Sequence, residues 1–534
     1  MPRTTNLLLI LISISIFPFF TNGALQPQHQ HAHGGGCIPA ERAALLSFKE
    51  GVTSNNTNLL ASWQGQDCCR WRGVSCSNRT GHVIKLRLRN PNVALYTDGY
   101  YDVCGGASAL FGEISPSLLS LKHLEYLDLS MNCLLGPDSQ IPLLLGSMGN
   151  LRYLNLSGIP FIGRVPSQLG NMSKLQYLDL GQLGYYSDMY STDITWLTKL
   201  PFLQFLGMSG VKLSGIADWP HTMNMIPSLR VIDLSHCQLD SANQSVLHLN
   251  LTELEKLDMS FNDFEHSLTS GWFWKVTSLK YLDVGETGLF GQFPDTLGNM
   301  TYLQVLDISF NENSDMMMTG KLLKNLCSLE IIDLSGIDLS YNSLTGEIPT
   351  DITSLDALVN LNLSSNQLSG QIPNMIGAMQ SLESLDLSQN KLDGEIPSSL
   401  TNLTSLSYLD LSYNRLSGRI PTGPQLDTLS AENQSLMYIG NSGLCGPPVH
   451  KNCSGNDPSI HGDLESSKQE FDPLNFYFGL VLGFVVGLWM VFCALLFKKT
   501  WRIAYFRLFD EAHDRVYVFV VLKWASFTKN TVAE

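Results

Sequence analysis

A pattern of the form L-x-x-L-x-L-x-x-N-x-L returns about every 24 residues through the middle of the chain, and it restricts the fold more tightly than any other feature. Copies begin at Leu124, Leu151, Leu175, Leu203, Leu229, Leu254, Leu279, Leu303, Leu358, Leu382 and Leu406. A further copy is read from Leu334, and a degenerate first one runs from Val83 to about Leu121. About thirteen coils is well above the three or so that a stacked-repeat protein needs for stability.

The letters of one unit have physical reasons. In LESLDLSQN, Leu385 and Leu387 are two apart, so they share one face of a short strand, and that face is the core. Asp386 between them points onto the opposite, concave surface. Asn390 ends the strand, where its amide reaches backbone groups of neighbouring turns that would otherwise go unpaired. Gly394 allows the bend that follows, and Pro397 restricts itself and Ile396 to an extended path. One unit cannot bury its apolar side alone, whereas stacked units can. The predicted fold class is an α/β repeat solenoid over residues 83–435.

One place departs from register. Leu329-Glu330-Ile331-Ile332-Asp333 opens a repeat, yet Leu334 to Leu358 is already a regular 24, so residues 329–333 read as a stub too short for a coil. Loss of repeats relative to a longer relative is the favoured explanation. The competing one is a bulged coil carrying five extra residues.

The flanks point to export. Residues 1–23 read as a signal peptide, with Arg3, an apolar Leu7–Phe20 and small residues at a cleavage site. Eleven cysteines, several clustered at the ends of the repeat body, suit an oxidising compartment. Glycosylation is expected at Asn55, Asn78, Asn171, Asn243, Asn250, Asn299, Asn402, Asn433 and Asn452. Asn155 and Asn362 carry the same triplet but fall in strand segments. Residues 476–497 are 22 uncharged apolar positions, enough to cross a bilayer. An acidic segment, 457–475, precedes them and Lys498, Lys499 and Arg502 follow, which predicts a type I single-pass plasma-membrane protein with the repeats extracellular. Gly479, Gly483 and Gly487 share one face of that helix, a candidate helix-pairing face, although glycine is common in membrane helices. The remaining 37 residues, 498–534, form a cytoplasmic tail too short for a kinase. The formal net charge of -15, with a tail that is itself basic, excludes nucleic acid as a partner.

Family resemblance is carried by G-x-I-P followed by an L-G-N-L-like segment, as in GRVPSQLGNMSKL and GQFPDTLGNMTYL. It extends to the ends: ERAALLSFK with Trp63 and Asp67-Cys68-Cys69-Arg70-Trp71, and Asn441 to Pro448 with Cys453 behind. The chain resembles the plant leucine-rich-repeat receptor-like proteins, which lack a kinase. The resemblance implies an N-terminal cap at 24–82, a C-terminal cap at 436–456, and disulfides Cys37–Cys68, Cys69–Cys76 and Cys445–Cys453. It also implies a membrane receptor-kinase partner. Cys104 and Cys133 are a possible further bridge. Cys237 replaces an Asn of the repeat and is read as a buried spacer, and Cys327 as core.

No catalytic constellation is legible and no cofactor or metal is expected. The column Asp128, Asp179, Asp233, Asp258, Asp283, Asp307, Asp338, Asp386 and Asp410 reads as a habit of the repeat, each carboxylate solvated or bonded to nearby hydroxyls. Binding is the surviving role, on a face carrying Tyr126, Tyr153, Tyr177, Phe205, Tyr281 and Tyr408, flanked by His236, Phe261, Phe310 and Tyr341. Ordinary strand preference for aromatics competes with that reading. The expected function is a cell-surface receptor for an extracellular peptide, protein or glycan in plant defence. The alternatives are developmental peptide perception, or a shortened decoy or inhibitory binder of a microbial enzyme or co-receptor.

Overall fold

The structure is a computed structural model. It describes residues 36–54, 60–91, 94–95, 101–104, 108–183, 188–241, 248–311, 325–336, 344–429, 435–449 and 451–453. The expected signal peptide, acidic segment, membrane span and tail all lie outside them. Among the described residues no helix is long and apolar enough to cross a membrane.

The leucine spacing produces a single sheet of 14 strands, in which Val74–Cys76 runs antiparallel to Val83–Arg87 and every later strand is parallel to its neighbour. Register is uniform. Tyr126, Tyr153, Tyr177, Phe205, Val231, Lys256 and Tyr281 stand side by side, each aligned with the next. The buried wall consists of one leucine or isoleucine from the middle of each three-residue strand, such as Leu154, Leu178, Leu206 and Ile232, all fully buried. Behind the sheet each coil returns through a short 3-10 turn, for example Ser167–Asn171 and Ser398–Asn402. A second, smaller parallel sheet forms where L-x-G-x-I-P recurs, from Thr345–Glu347, Gln367–Gln371 and Lys391–Asp393. Gly394 sits there at φ 75°, a conformation that favours glycine, and an added Cβ would lie 3.0 Å from Cγ of the flexible Gln371 side chain.

The asparagines form a ladder. Asn390 donates to the carbonyls of Leu363, Leu387 and Ser388 at 2.9, 3.2 and 3.0 Å, and accepts from Leu368 N–H at 3.0 Å. Asn132, Asn262, Asn311, Asn366 and Asn414 repeat the pattern. Cys237 takes this place in its coil, fully buried, with its thiol 3.2 Å from the Met208 carbonyl.

The stub expected at 329–333 is corrected. Ile331–Asp333 is a full strand of the long sheet, pairing with Val305–Asp307 on one side and Asn360–Asn362 on the other. Leu329, Ile332 and Leu334 occupy the core spacing of an ordinary repeat, and Asn366 donates to the Leu334 carbonyl as Asn390 does to that of Leu363. Leu334 is therefore the third core leucine of the repeat that starts at Leu329, not the first of another. The carboxylate column accordingly passes through Asp333; Asp338 lies outside the described residues. Cys327 is also corrected. It is exposed, because Leu326 and Leu329 on either side take the core positions.

Both ends of the stack are covered. Helix Pro39–Glu50 lays Leu45 and Phe48 on the first coil, and its buried Glu41 accepts from Val83 N–H at 2.7 Å and meets His82 Nδ1 at 2.9 Å. Trp63 stacks on Trp71 beneath it. Disulfides join Cys37 to Cys68, Cys69 to Cys76, Cys104 to Cys133 and Cys445 to Cys453.

Candidate ligand-binding face

Because the strands are parallel and in register, identical repeat positions are brought within ring-stacking distance. Tyr126, Tyr153, Tyr177 and Phe205 form a continuous ladder with ring centroids 4.0, 4.1 and 4.1 Å apart and planes within 12°. Arg87 and Lys85 from the first coil lie over the outer face of Tyr126, at 5.3 and 5.7 Å from its centroid. The rings are half-buried by one another and present their edges and hydroxyls. Burial pushes the Tyr126 hydroxyl up to about 12.

Beside the ladder runs the carboxylate column, bonded rather than solvated. Asp128, Asp233, Asp258, Asp307, Asp333 and Asp386 each accept the hydroxyl of the serine two residues on, at 2.6–2.8 Å. Tyr281 hydroxyl donates to Asp283 at 3.1 Å. Burial, then the neighbouring charges of Asp258 and Asp307, push the Asp283 carboxyl up to about 7. Asp258 and Asp179 are raised for the same leading reason.

The remaining aromatics separate into a second row. His236, Phe261 and Phe310 lie seven residues after the first leucine of their coils, where the backbone turns left-handed at φ 55–57°. His236 stacks on Phe261 at 4.1 Å and 14°, while Phe310 is exposed. Tyr281 and Tyr408 stay on the strand row but outside the ladder. Tyr281 is capped by Lys256 Nζ at 4.1 Å, and Tyr408 reaches Asp386 at 3.4 Å. Tyr341 lies outside the described residues. Tyr413, among the most exposed aromatics, shares the left-handed row and was missed; its place seven residues after Leu406 is the signal that identifies it.

Asn78, Asn171, Asn250, Asn299, Asn402 and Asn452 are exposed, whereas Asn155 is buried and Asn362 half-buried within strands. Asn55, Asn243, Asn433 and the glycines of the pairing face lie outside the described residues. Among the described residues, the single group close enough to suggest a metal is Cys37, Cys68 and Cys69, whose sulfurs are taken by disulfides.

Residues 38–77 match the leucine rich repeat N-terminal domain family, and residues 120–139, 150–172, 328–355, 357–379 and 373–416 match leucine rich repeat families. The repeat matched at 328–355 begins where the strand at Ile331 requires. Receptor-like protein EIX1 of Solanum lycopersicum is 34% identical over 293 residues, covering 52% of this chain and 26% of the relative. Receptor-like protein EIX2 of the same plant is 34% identical over 307 residues, covering 56% and 28%. The chain is similar to plant leucine-rich-repeat receptor-like proteins. Its matched part spans about a quarter of the length of these two relatives. Among solved structures, a plant peptide hormone receptor, RGFR1 in complex with RGF2, is 24% identical, covering 66% of this chain and 69% of that one with a TM-score of 0.43. For a receptor-like protein, the two aromatic rows are the surface features that its repeat periodicity alone does not demand.

Proposed function

We propose that this receptor-like protein sits in the plasma membrane with its repeats outside the cell, and binds an extracellular peptide, protein or glycan on the open face of the long sheet. Signalling passes through a partner receptor kinase that pairs with the Gly479, Gly483 and Gly487 face of a membrane helix at 476–497, in the service of plant defence. The observation that carries the binding role is the four-ring ladder of Tyr126, Tyr153, Tyr177 and Phe205. Rings held by their neighbours lose little entropy on meeting a partner, and aromatic anchors dominate binding energy.

The test is to fuse the repeat body to a receptor-kinase tail and challenge it with extracellular fractions. Ligand-dependent phosphorylation is expected, and Tyr153→Ala should weaken the response about tenfold or more, as loss of a central anchor does. A response indifferent to that change would remove the ladder from the binding face. Crosslinked pulldown of the intact protein should lose its kinase with Gly483→Leu, since a leucine there blocks close helix approach.

A further inference from the structure

An open pocket of about 700 Å³ lies beside the left-handed row, lined among others by His236, Phe261, Gln238, Asp240, Asp263 and Glu286. That volume falls within the range of small-ligand sites. Its shape comes from the stacking of coils. The His236 N–H donates to Ser260, Phe261 N–H to Gly285 and Glu286 N–H to Ser309, at 2.9–3.0 Å, so three consecutive turns hold their side chains in one line. His236 and Phe261 stack, which leaves Phe261 40% exposed at the pocket. Asn262, also at the pocket, is committed to the backbone and accepts from Cys237 and Leu239 N–H.

The charge of the lining is one-sided. Three carboxylates, Asp240, Asp263 and Glu286, face the space, and no Lys or Arg is among its lining residues. Burial lowers the pKa of His236, which disfavours its charged form, and its ring lies flat on Phe261. The chain shows in the adjacent coils what such a combination holds. Lys256 Nζ sits 4.1 Å over the Tyr281 ring and 3.7 Å from an Asp258 oxygen. At the pocket the ring and the carboxylates are present, and none of the described residues that line it supplies the cation.

We propose that this pocket is the subsite that receives a guanidinium or ammonium side chain of a basic peptide ligand, laid on Phe261 and faced by Asp240, Asp263 and Glu286. This deepens the receptor reading and rests on it. A planar guanidinium suits the site better than an ammonium, because it stacks on the ring while its edge meets the carboxylates. A neutral sugar would leave the carboxylates without a counter-charge.

The full chain, purified in detergent, is titrated with acetyl-Gly-Gly-Arg-Gly-Gly-amide by ligand-observed saturation-transfer NMR, alongside the same peptide with lysine or citrulline at the centre and a neutral glucose oligomer. The arginine peptide should bind best and the lysine peptide next, with citrulline about tenfold weaker. Phe261→Leu, and separately Asp263→Asn with Glu286→Gln, should each weaken arginine binding about fivefold or more while leaving the melting temperature in place. Tyr302→Ala, an exposed ring elsewhere on the chain, should change nothing. Equal binding of citrulline and arginine, tighter binding of the sugar, no binding of the arginine peptide, or variants that bind as the parent does would each overturn the proposal. These titrations need no signalling. Their failure beside a responsive kinase fusion removes the pocket alone, and their success beside an unresponsive fusion removes the receptor reading alone.

Discussion

Asn390→Ala should be the most damaging single change on the open side of the stack, costing about 3 kcal/mol or more. The amide of Asn390 is nearly buried and makes four bonds to four different residues, three as donor and one as acceptor. Alanine removes all four and admits no water in their place. The Leu368 N–H loses the acceptor the side chain supplied, and a stranded buried donor costs about 1–3 kcal/mol, whereas the Leu363 carbonyl keeps its bond from the Asn366 amide at 3.1 Å. Thr287 stands at the same repeat position in an earlier coil, where its hydroxyl keeps two contacts, to the Val284 carbonyl at 2.7 Å and to Asn311 Oδ1 at 2.9 Å. Asn390→Thr should therefore cost less than the alanine change. Because each coil touches only its neighbours, the damage is local. Amide exchange should accelerate around residues 363–392 and stay unchanged near residues 154–206. A melting curve and an exchange pattern identical to those of the parent would show that the ladder does not hold these coils together.

Asp283→Asn should stabilise the protein at pH 8 and do nothing at pH 4. In the folded chain the Asp283 carboxyl is pushed up to about 7, first by burial and then by Asp258 and Asp307, against about 3.9 in an unfolded chain. Between those values the folded state holds a proton that the unfolded state has released. The stability that Asp283 contributes is thus complete below about pH 4 and is lost as pH rises through about 7. Asparagine keeps the neutral form at every pH. Its oxygen can accept the Gly285 N–H that Asp283 accepts at 3.0 Å, and its amide can meet the Tyr281 hydroxyl as Asn155 meets that of Tyr153. The expected gain at pH 8 is about 2 kcal/mol, after allowance for the partial exposure of the group, and it should vanish by pH 4. Burial depresses His236 and His266, which works in the opposite direction: stability is lost as pH falls below their unfolded value. For that reason the informative quantity is the difference between variant and parent at each pH, measured by thermal melting. A difference that stays flat from pH 4 to 8 would mean that Asp283 is already ionised in the folded chain.

The comparison of Asp283 with Asn155 and Asn362 also shows how the repeat tolerates its own electrostatics. Consecutive coils bring like charges close together, and serine hydroxyls two residues on absorb part of the cost. Neutral residues interrupt the run at Asn155, Gly207 and Asn362.

Much of this was legible in the chain's letters because a leucine-rich coil is a local object. The spacing of Leu382, Leu385 and Leu387 dictates a strand with one buried face, Asn390 its closure and Gly394 its bend, with no need to know what lies far away. The same local logic identified the Tyr126-to-Phe205 positions as equivalent. It failed at residues 329–334, where two overlapping sets of leucines satisfy the same spacing. Only pairing with the strands on either side decides between them, since a single strand of the long sheet can occupy that place. It failed again at Cys327, whose neighbours Leu326 and Leu329 claim the core first. Tertiary stacking decided the rest: that four aromatic positions become one ladder, that burial first and then the charges of Asp258 and Asp307 in other coils raise the pKa of Asp283, and that His236, Phe261 and Glu286 wall a single pocket. Spacing within one coil determines which way a side chain points. How close it comes to its counterpart in the next coil depends on the register of the sheet, a property that no single repeat contains.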